Sequence, residues 1–213
     1  MSLKSTEAKR RKVIKIIEVL KKLFPKTATS LHYSNNFELL TSVILSAQCT
    51  DKMVNKVTEK LFKKYRNLAD YVAADQKEFE QDIRSTGFYR NKARNVLDSA
   101  KIIKEKYSGS VPDTMKDLLS LPGVARKTAN IVLYQGYGKT EGIAVDTHVR
   151  RLSRLLGLTS QQDPVKIEED LMEIVPKKEW ANFSLRFIDY GRAYCKATKH
   201  DHANCPLTRA RLL

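Results

Sequence analysis

The sequence predicts an all-α protein. Apolar residues recur at helical spacing along most of its 213 residues, no segment alternates apolar and polar residues over strand length, and proline, glycine and aspartate punctuate the helical stretches. No repeat and no low-complexity segment interrupts this pattern.

The elements follow in order. Val13, Ile16, Ile17, Leu20 and Phe24 form a stripe at i, i+3, i+4, i+7 and i+11, with Lys and Arg opposite and Pro25 as a stop. Residues 37–47 are apolar on two faces, as expected of a helix buried inside a bundle. Residues 51–65 are amphipathic through Val54, Val57, Leu61 and Phe62. Shorter helices are expected over 76–84, 91–107 and 114–120, the last opened by a Pro112-Asp113 cap signal. Leu121-Pro122-Gly123 breaks the pattern, and residues 127–134 restart it. Asp146 caps a helix reaching Leu156 and closed by Gly157, whereas Asp163-Pro164 opens one that stops before Pro176. A last helix is expected over 180–190.

Lys and Arg number 39 against 24 Asp and Glu, a formal net charge of +15. That balance favours a polyanionic partner, because each cation that meets a phosphate releases a counterion. Charge by itself fits a merely soluble basic surface equally well. Three cysteines, Cys49, Cys195 and Cys205, are too few for a disulfide framework and suit a reducing compartment. No run approaches the roughly 20 apolar residues of a membrane span. The opening MSLKSTEAKRRK lacks the apolar core of a signal peptide. The expected location is intracellular, the cytoplasm or nucleoid in a prokaryote.

The most informative stretch is LPGVARKTAN, residues 121–130. A helix, a tight Pro-Gly hairpin and a new helix form a helix–hairpin–helix. Its outward amides suit a backbone phosphate, which they grip without reading sequence. Gly138-Lys139-Thr140 imitates the tail of a nucleotide-binding P-loop, but the first glycine would fall at Leu133. Gly123 to Lys127-Thr128 is one residue short and lacks the second glycine. ATP binding is not expected.

LPGVARKTANIVL followed by AVDTHVRRL resembles the endonuclease III branch of the helix–hairpin–helix DNA glycosylases. The resemblance extends from about Phe37 to Cys205 and includes FELLTSVILSAQCTD and TGFYRNKA. It implies two helical domains with a DNA-binding cleft between them. One is a six-helix bundle over residues 29–140; the other joins residues 1–28 to 141–213. The implied partner is double-stranded DNA carrying a damaged base or abasic site, bound by a monomer.

The resemblance also assigns residues. Lys127 matches the family's nucleophile and Asp146, nineteen positions on, its essential carboxylate. The implied activity is excision of oxidised pyrimidines coupled to strand cleavage at the abasic site. A flipped nucleotide would be attacked at C1′ by an amine. A free lysine with pKa about 10.4 is neutral in only roughly 0.04% of molecules at pH 7, so such a site must favour the neutral form. Asp146 would stabilise the cationic sugar. On residue type alone Asp146 reads first as a helix cap, and the two roles are compatible. Lys127 alone reads as one solvated lysine among many.

For DNA contact the resemblance points to Leu121, Gly123, Val124, Ala125, Arg126 and Thr128 around the hairpin. Gln48 would fill the gap left by the flipped base. Phe88, beside Tyr89, would wedge into the opposite strand, unless it is a plain core aromatic. His148 would face the pocket or simply pack. Many relatives have glycine where this chain has Ala125, so the hairpin must hold an ordinary backbone conformation there.

Many relatives end in four cysteines spaced C-x6-C-x2-C-x5-C, ligands for a [4Fe–4S] cluster. The matching positions here are Cys195, His202, Cys205 and Arg211. No cluster is expected. The favoured reading makes the cysteines buried relics, with Trp180, Phe183, Phe187 and Tyr190 holding the C-terminal part by packing. A zinc site from Cys195, His200 or His202, and Cys205 is the alternative, although the spacing matches no familiar pattern. A monofunctional glycosylase for mismatched or alkylated bases and a non-catalytic DNA-binding protein remain as alternative functions.

Overall fold

A computed structural model describes residues 3–212, and every regular element among them is helical. Residues 3–29 and 140–212 form one compact unit, and residues 30–139 form another.

The unit formed by the middle of the chain contains α2 (Asn36–Leu45), α3 (Asp51–Lys64), α4 (Leu68–Ala73), α5 (Gln76–Asp82), α6 (Tyr89–Lys106), α7 (Met115–Leu118) and α8 (Arg126–Tyr137). All residues of α2 from Leu39 onward are buried, as its two apolar faces require. Side chains open most of these helices. Asn35 accepts from the amides of Phe37 and Glu38, and Thr50, Asp75 and Thr114 act similarly for α3, α5 and α7. Phe37, Tyr65, Tyr71 and Phe79 form an edge-to-face aromatic cluster in this core.

Several elements differ from expectation. Residues 76–84 split into α5 and a 3-10 turn, Arg84–Thr86. The expected 114–120 helix is the single turn of α7, capped by Thr114 instead of Asp113. Asp113 is drawn away by an ion pair with Lys139 at 2.5 Å. Helix α4 was not anticipated: six residues with a reciprocal Asn67/Asp70 capping box are too short for a periodic signal. Helix α8 runs three residues beyond 134 and ends at Gly138, whose φ of +64° closes a C-terminus. The Gly138-Lys139-Thr140 triplet therefore follows a helix end, where exposed carbonyls repel phosphate.

The other unit contains α1 (Leu3–Leu23), α9 (Thr147–Leu155), α10 (Pro164–Ile174), α11 (Trp180–Ala193) and α12 (Pro206–Arg209). The Val13, Ile16, Ile17, Leu20 stripe of α1 lies in its core with Leu152, Leu171, Phe183, Phe187 and Tyr190. Asp163 and Pro164 start α10 as expected, and Gly157 at φ +67° closes α9. Helix α11 continues past residue 190 to Ala193, bringing Cys195 just beyond its end.

Candidate active site

The hairpin joins α7 to α8. Gly123 adopts φ +75°, and a Cβ there would stand 2.5 Å from Nδ2 of Asn95. Only glycine satisfies both limits. Ser99 donates to the Pro122 carbonyl at 3.2 Å and ties the hairpin to α6. Ala125 adopts φ −95° and ψ 173°, an extended conformation that any residue accepts. The alanine therefore costs the hairpin no strain.

Ala125 is the N-cap of α8 and supplies no side-chain cap. The first α-helical bond runs from the Ala129 amide to the Ala125 carbonyl, which leaves the preceding amides at the positive end of the helix. Leu121 and Val124 are buried, and their amides already donate to Leu118 and Leu121. They shape the hairpin. Thr128 is also buried, whereas Gly123 and Ala125 are exposed and Arg126 half-buried. Lys127 is the second residue of α8, half-buried, with no ion pair among the described residues.

Gln48 and Phe88 occupy two further loops of this unit. Both are exposed and both have positive φ, +52° and +48°. Phe88 is 64% exposed, which removes the core reading of this ring. Tyr89 beside it packs partly against the core. Holding an apolar ring outward in the left-handed region costs energy that packing does not return.

Sequence reasoning missed the residue that joins those loops. Lys92 is 4% exposed, and its Nζ donates to the Leu45 carbonyl at 2.8 Å and the Thr86 carbonyl at 2.7 Å. One amine thus ties the end of α2, three residues before Gln48, to the turn two residues before Phe88. Burial holds its pKa below the ordinary lysine value. A lysine on the apolar face of α6, between Ala93 and the Phe88 turn, was the available signal.

In the other unit, Asp146 is the N-cap of α9. Its Oδ1 accepts from the Val149 amide at 2.8 Å, and the residue is half-buried. The cap reading is thus correct, and the second carboxylate oxygen remains available for other work. His148 lies against Gly191, where a Cβ would come within 2.4 Å of the ring's Nδ1. That Nδ1 is buried without a hydrogen-bond partner among the described residues. Burial lowers the ring's pKa, the Asp146 carboxylate opposes this, and Arg192 and Arg151 reinforce it. A groove beside α9 is lined by Arg150, Arg151 and Arg154 together with Lys196 and Lys199 of the loop after α11. It offers a track of positive charge to a phosphate backbone.

Cys195, His200, His202 and Cys205 converge at the C-terminal end of this unit, their ligand atoms all within 4.8 Å of one another. Arg211, at the fourth position of the four-cysteine pattern, is exposed with φ +56°. The Trp180, Phe183, Phe187 and Tyr190 side chains do pack with the core of this unit.

The helical fold with its glycine-turned hairpin defines a helix–hairpin–helix DNA-binding repair protein, and a model of the HhH-GPD superfamily of base excision DNA repair proteins matches residues 41–177. Endonuclease III of Synechocystis sp. is 47% identical over 205 residues, covering 96% of this chain and 94% of that one. Endonuclease III of Bacillus subtilis is 48% identical over 186 residues, covering 87% and 84%. The chain belongs to the endonuclease III family. Solved structures of an endonuclease III in a non-covalent DNA complex and in a trapped covalent DNA intermediate each superpose with TM-score 0.89 at 46% identity, covering 94% of both chains. A thermostable thymine-DNA glycosylase shares the fold, with TM-score 0.79 at 21% identity.

Proposed function

We propose that this protein is a bifunctional DNA glycosylase and abasic-site lyase for oxidised pyrimidines, with Lys127 as its nucleophile. The carrying observation is the half-buried lysine at the second position of α8, directly after the glycine-turned hairpin. The trapped covalent complex of an endonuclease III supports the same chemistry in a relative 46% identical to this chain.

In this reading the hairpin amides hold the backbone of a lesion-bearing duplex, Phe88 wedges into the opposite strand and Gln48 fills the vacated stack. The Lys127 Nζ attacks C1′. The glycosidic bond breaks, and the base leaves with its electron pair and takes up a proton. Ring opening gives an iminium between Nζ and C1′. Loss of a C2′ proton then drives β-elimination, which expels the 3′ phosphate, and water releases the lysine. The carboxylate of Asp146 stabilises the cationic sugar and assists proton removal.

The residues do not fit a four-cysteine iron–sulfur cluster. Two of the four positions hold His202 and Arg211, and an arginine cannot bind iron. No step is assigned to such a group. No described helix is long and apolar enough to cross a membrane.

Borohydride reduction during reaction with duplexes bearing an oxidised pyrimidine or an abasic site tests the proposal. A covalent adduct is expected with the native chain and none with Lys127→Gln. Base release without adduct identifies a monofunctional glycosylase; binding with neither identifies a non-catalytic DNA-binding protein.

A further inference from the structure

We propose that Cys195, His200, His202 and Cys205 bind one zinc ion, replacing an iron–sulfur cluster by a single tetrahedral centre. The sequence favours relic cysteines because the spacing matches no familiar zinc pattern, and its alternative zinc set takes Cys195, Cys205 and one histidine, His200 or His202. The structure brings both. Cys195 is fully buried and Cys205 is 2% exposed, with the two histidines covering them as half-buried groups.

The spacing decides between metal centres. With zinc–sulfur bonds near 2.3 Å and zinc–nitrogen bonds near 2.0 Å, tetrahedral ligand atoms lie about 3.3–3.8 Å apart. Here Cys205 Sγ is 3.6 Å from His200 Nε2, and Cys195 Sγ is 3.9 Å from His202 Nδ1. Each sulfur is thus beside a nitrogen. A Rieske-type two-iron cluster also takes two cysteines and two histidines, but it gives the sulfurs to one iron and the nitrogens to the other. Ligands on different irons stand farther apart than ligands sharing one ion.

The surroundings point the same way. His200 Nδ1 is 2.9 Å from the Thr198 carbonyl and serves as its donor, which leaves the lone pair on Nε2 facing Cys205. This is the arrangement that second-shell partners impose on zinc-bound histidines. An Arg151 N–H reaches Cys195 Sγ at 3.5 Å, a donor suited to a thiolate. Asp201 accepts from the Ala203 amide and shapes the turn between the histidines and Cys205. The ion would fasten residues 196–204, which carry Lys196 and Lys199 of the basic groove, to the end of α11 and the start of α12. Its role is structural, and it takes no part in the chemistry assigned to Lys127.

Metal analysis of untagged protein, purified without chelator and dialysed, tests the site. About one zinc per chain is expected, without visible absorption. Cobalt exchange should give the intense d–d bands of a tetrahedral ion together with thiolate-to-cobalt charge transfer. His200→Asn, at a half-exposed position, should release zinc or weaken its binding while the chain stays folded, and Lys127→Gln should retain full zinc content. A chelator that strips the ion should lower the melting temperature. Iron with broad visible absorption overturns the proposal. So does a folded chain that holds only substoichiometric zinc after saturation, or a cobalt spectrum without sulfur charge transfer.

Discussion

Asp146 does two things that single substitutions can separate. Its side chain caps α9 through Val149, and its charge is proposed to support the sugar cation. Asparagine caps a helix as well as aspartate does, so Asp146→Asn should keep stability within about 0.5 kcal/mol. The same change should lower base excision by on the order of 10² or more, because the charge is gone. Asp146→Ala should lose the cap as well, at about 1 kcal/mol. Thermal melts and single-turnover excision check both; equal activity in the asparagine variant would reduce Asp146 to a cap. The sequence showed the capping role directly, since an aspartate before Thr147, His148 and Val149 is a local signal. Lys127 had no comparable signal: its significance comes from the hairpin ahead of it, read together with the family resemblance.

At the scale of elements, the Gln48 and Phe88 loops are held by a contact that neither loop's sequence contains. Lys92 spans 47 residues to reach Leu45 and six to reach Thr86. Lys92→Met keeps the apolar stem but leaves two buried carbonyls without this partner, a loss of about 2 kcal/mol. The variant should melt earlier, exchange amide hydrogens faster over residues 46–50 and 85–89, and bind lesion duplex more weakly. Unchanged exchange in both loops would show that they are held independently. The major helices were legible because burial imposes its period over three or more turns, as in α1 and α3. Helix α4 and the split after α5 were not. Elements of one or two turns depend on capping and on packing against neighbours such as α6, which a periodic pattern does not report.

Across the whole molecule, the charge of +15 is the simplest prediction to test. If at least ~6 phosphates are neutralised, a fourfold rise in salt should weaken binding to undamaged duplex by on the order of 10³ or more. A titration series across salt concentrations measures the slope. A nearly flat response would mean that the basic groove beside α9 does not meet DNA.

The all-helical class, the hairpin, the cap at Asp146 and the absence of a four-cysteine set were all determined by the sequence. Each is a matter of residue type at short range: apolar period, glycine at a turn, a carboxylate before a helix, thiolates present or missing. Tertiary structure decided which hairpin amides were already engaged, that Phe88 faces outward, that Lys92 joins two loops, and that both histidines meet both C-terminal cysteines. Those outcomes depend on where the chain's turns return in space, and no local pattern encodes that distance.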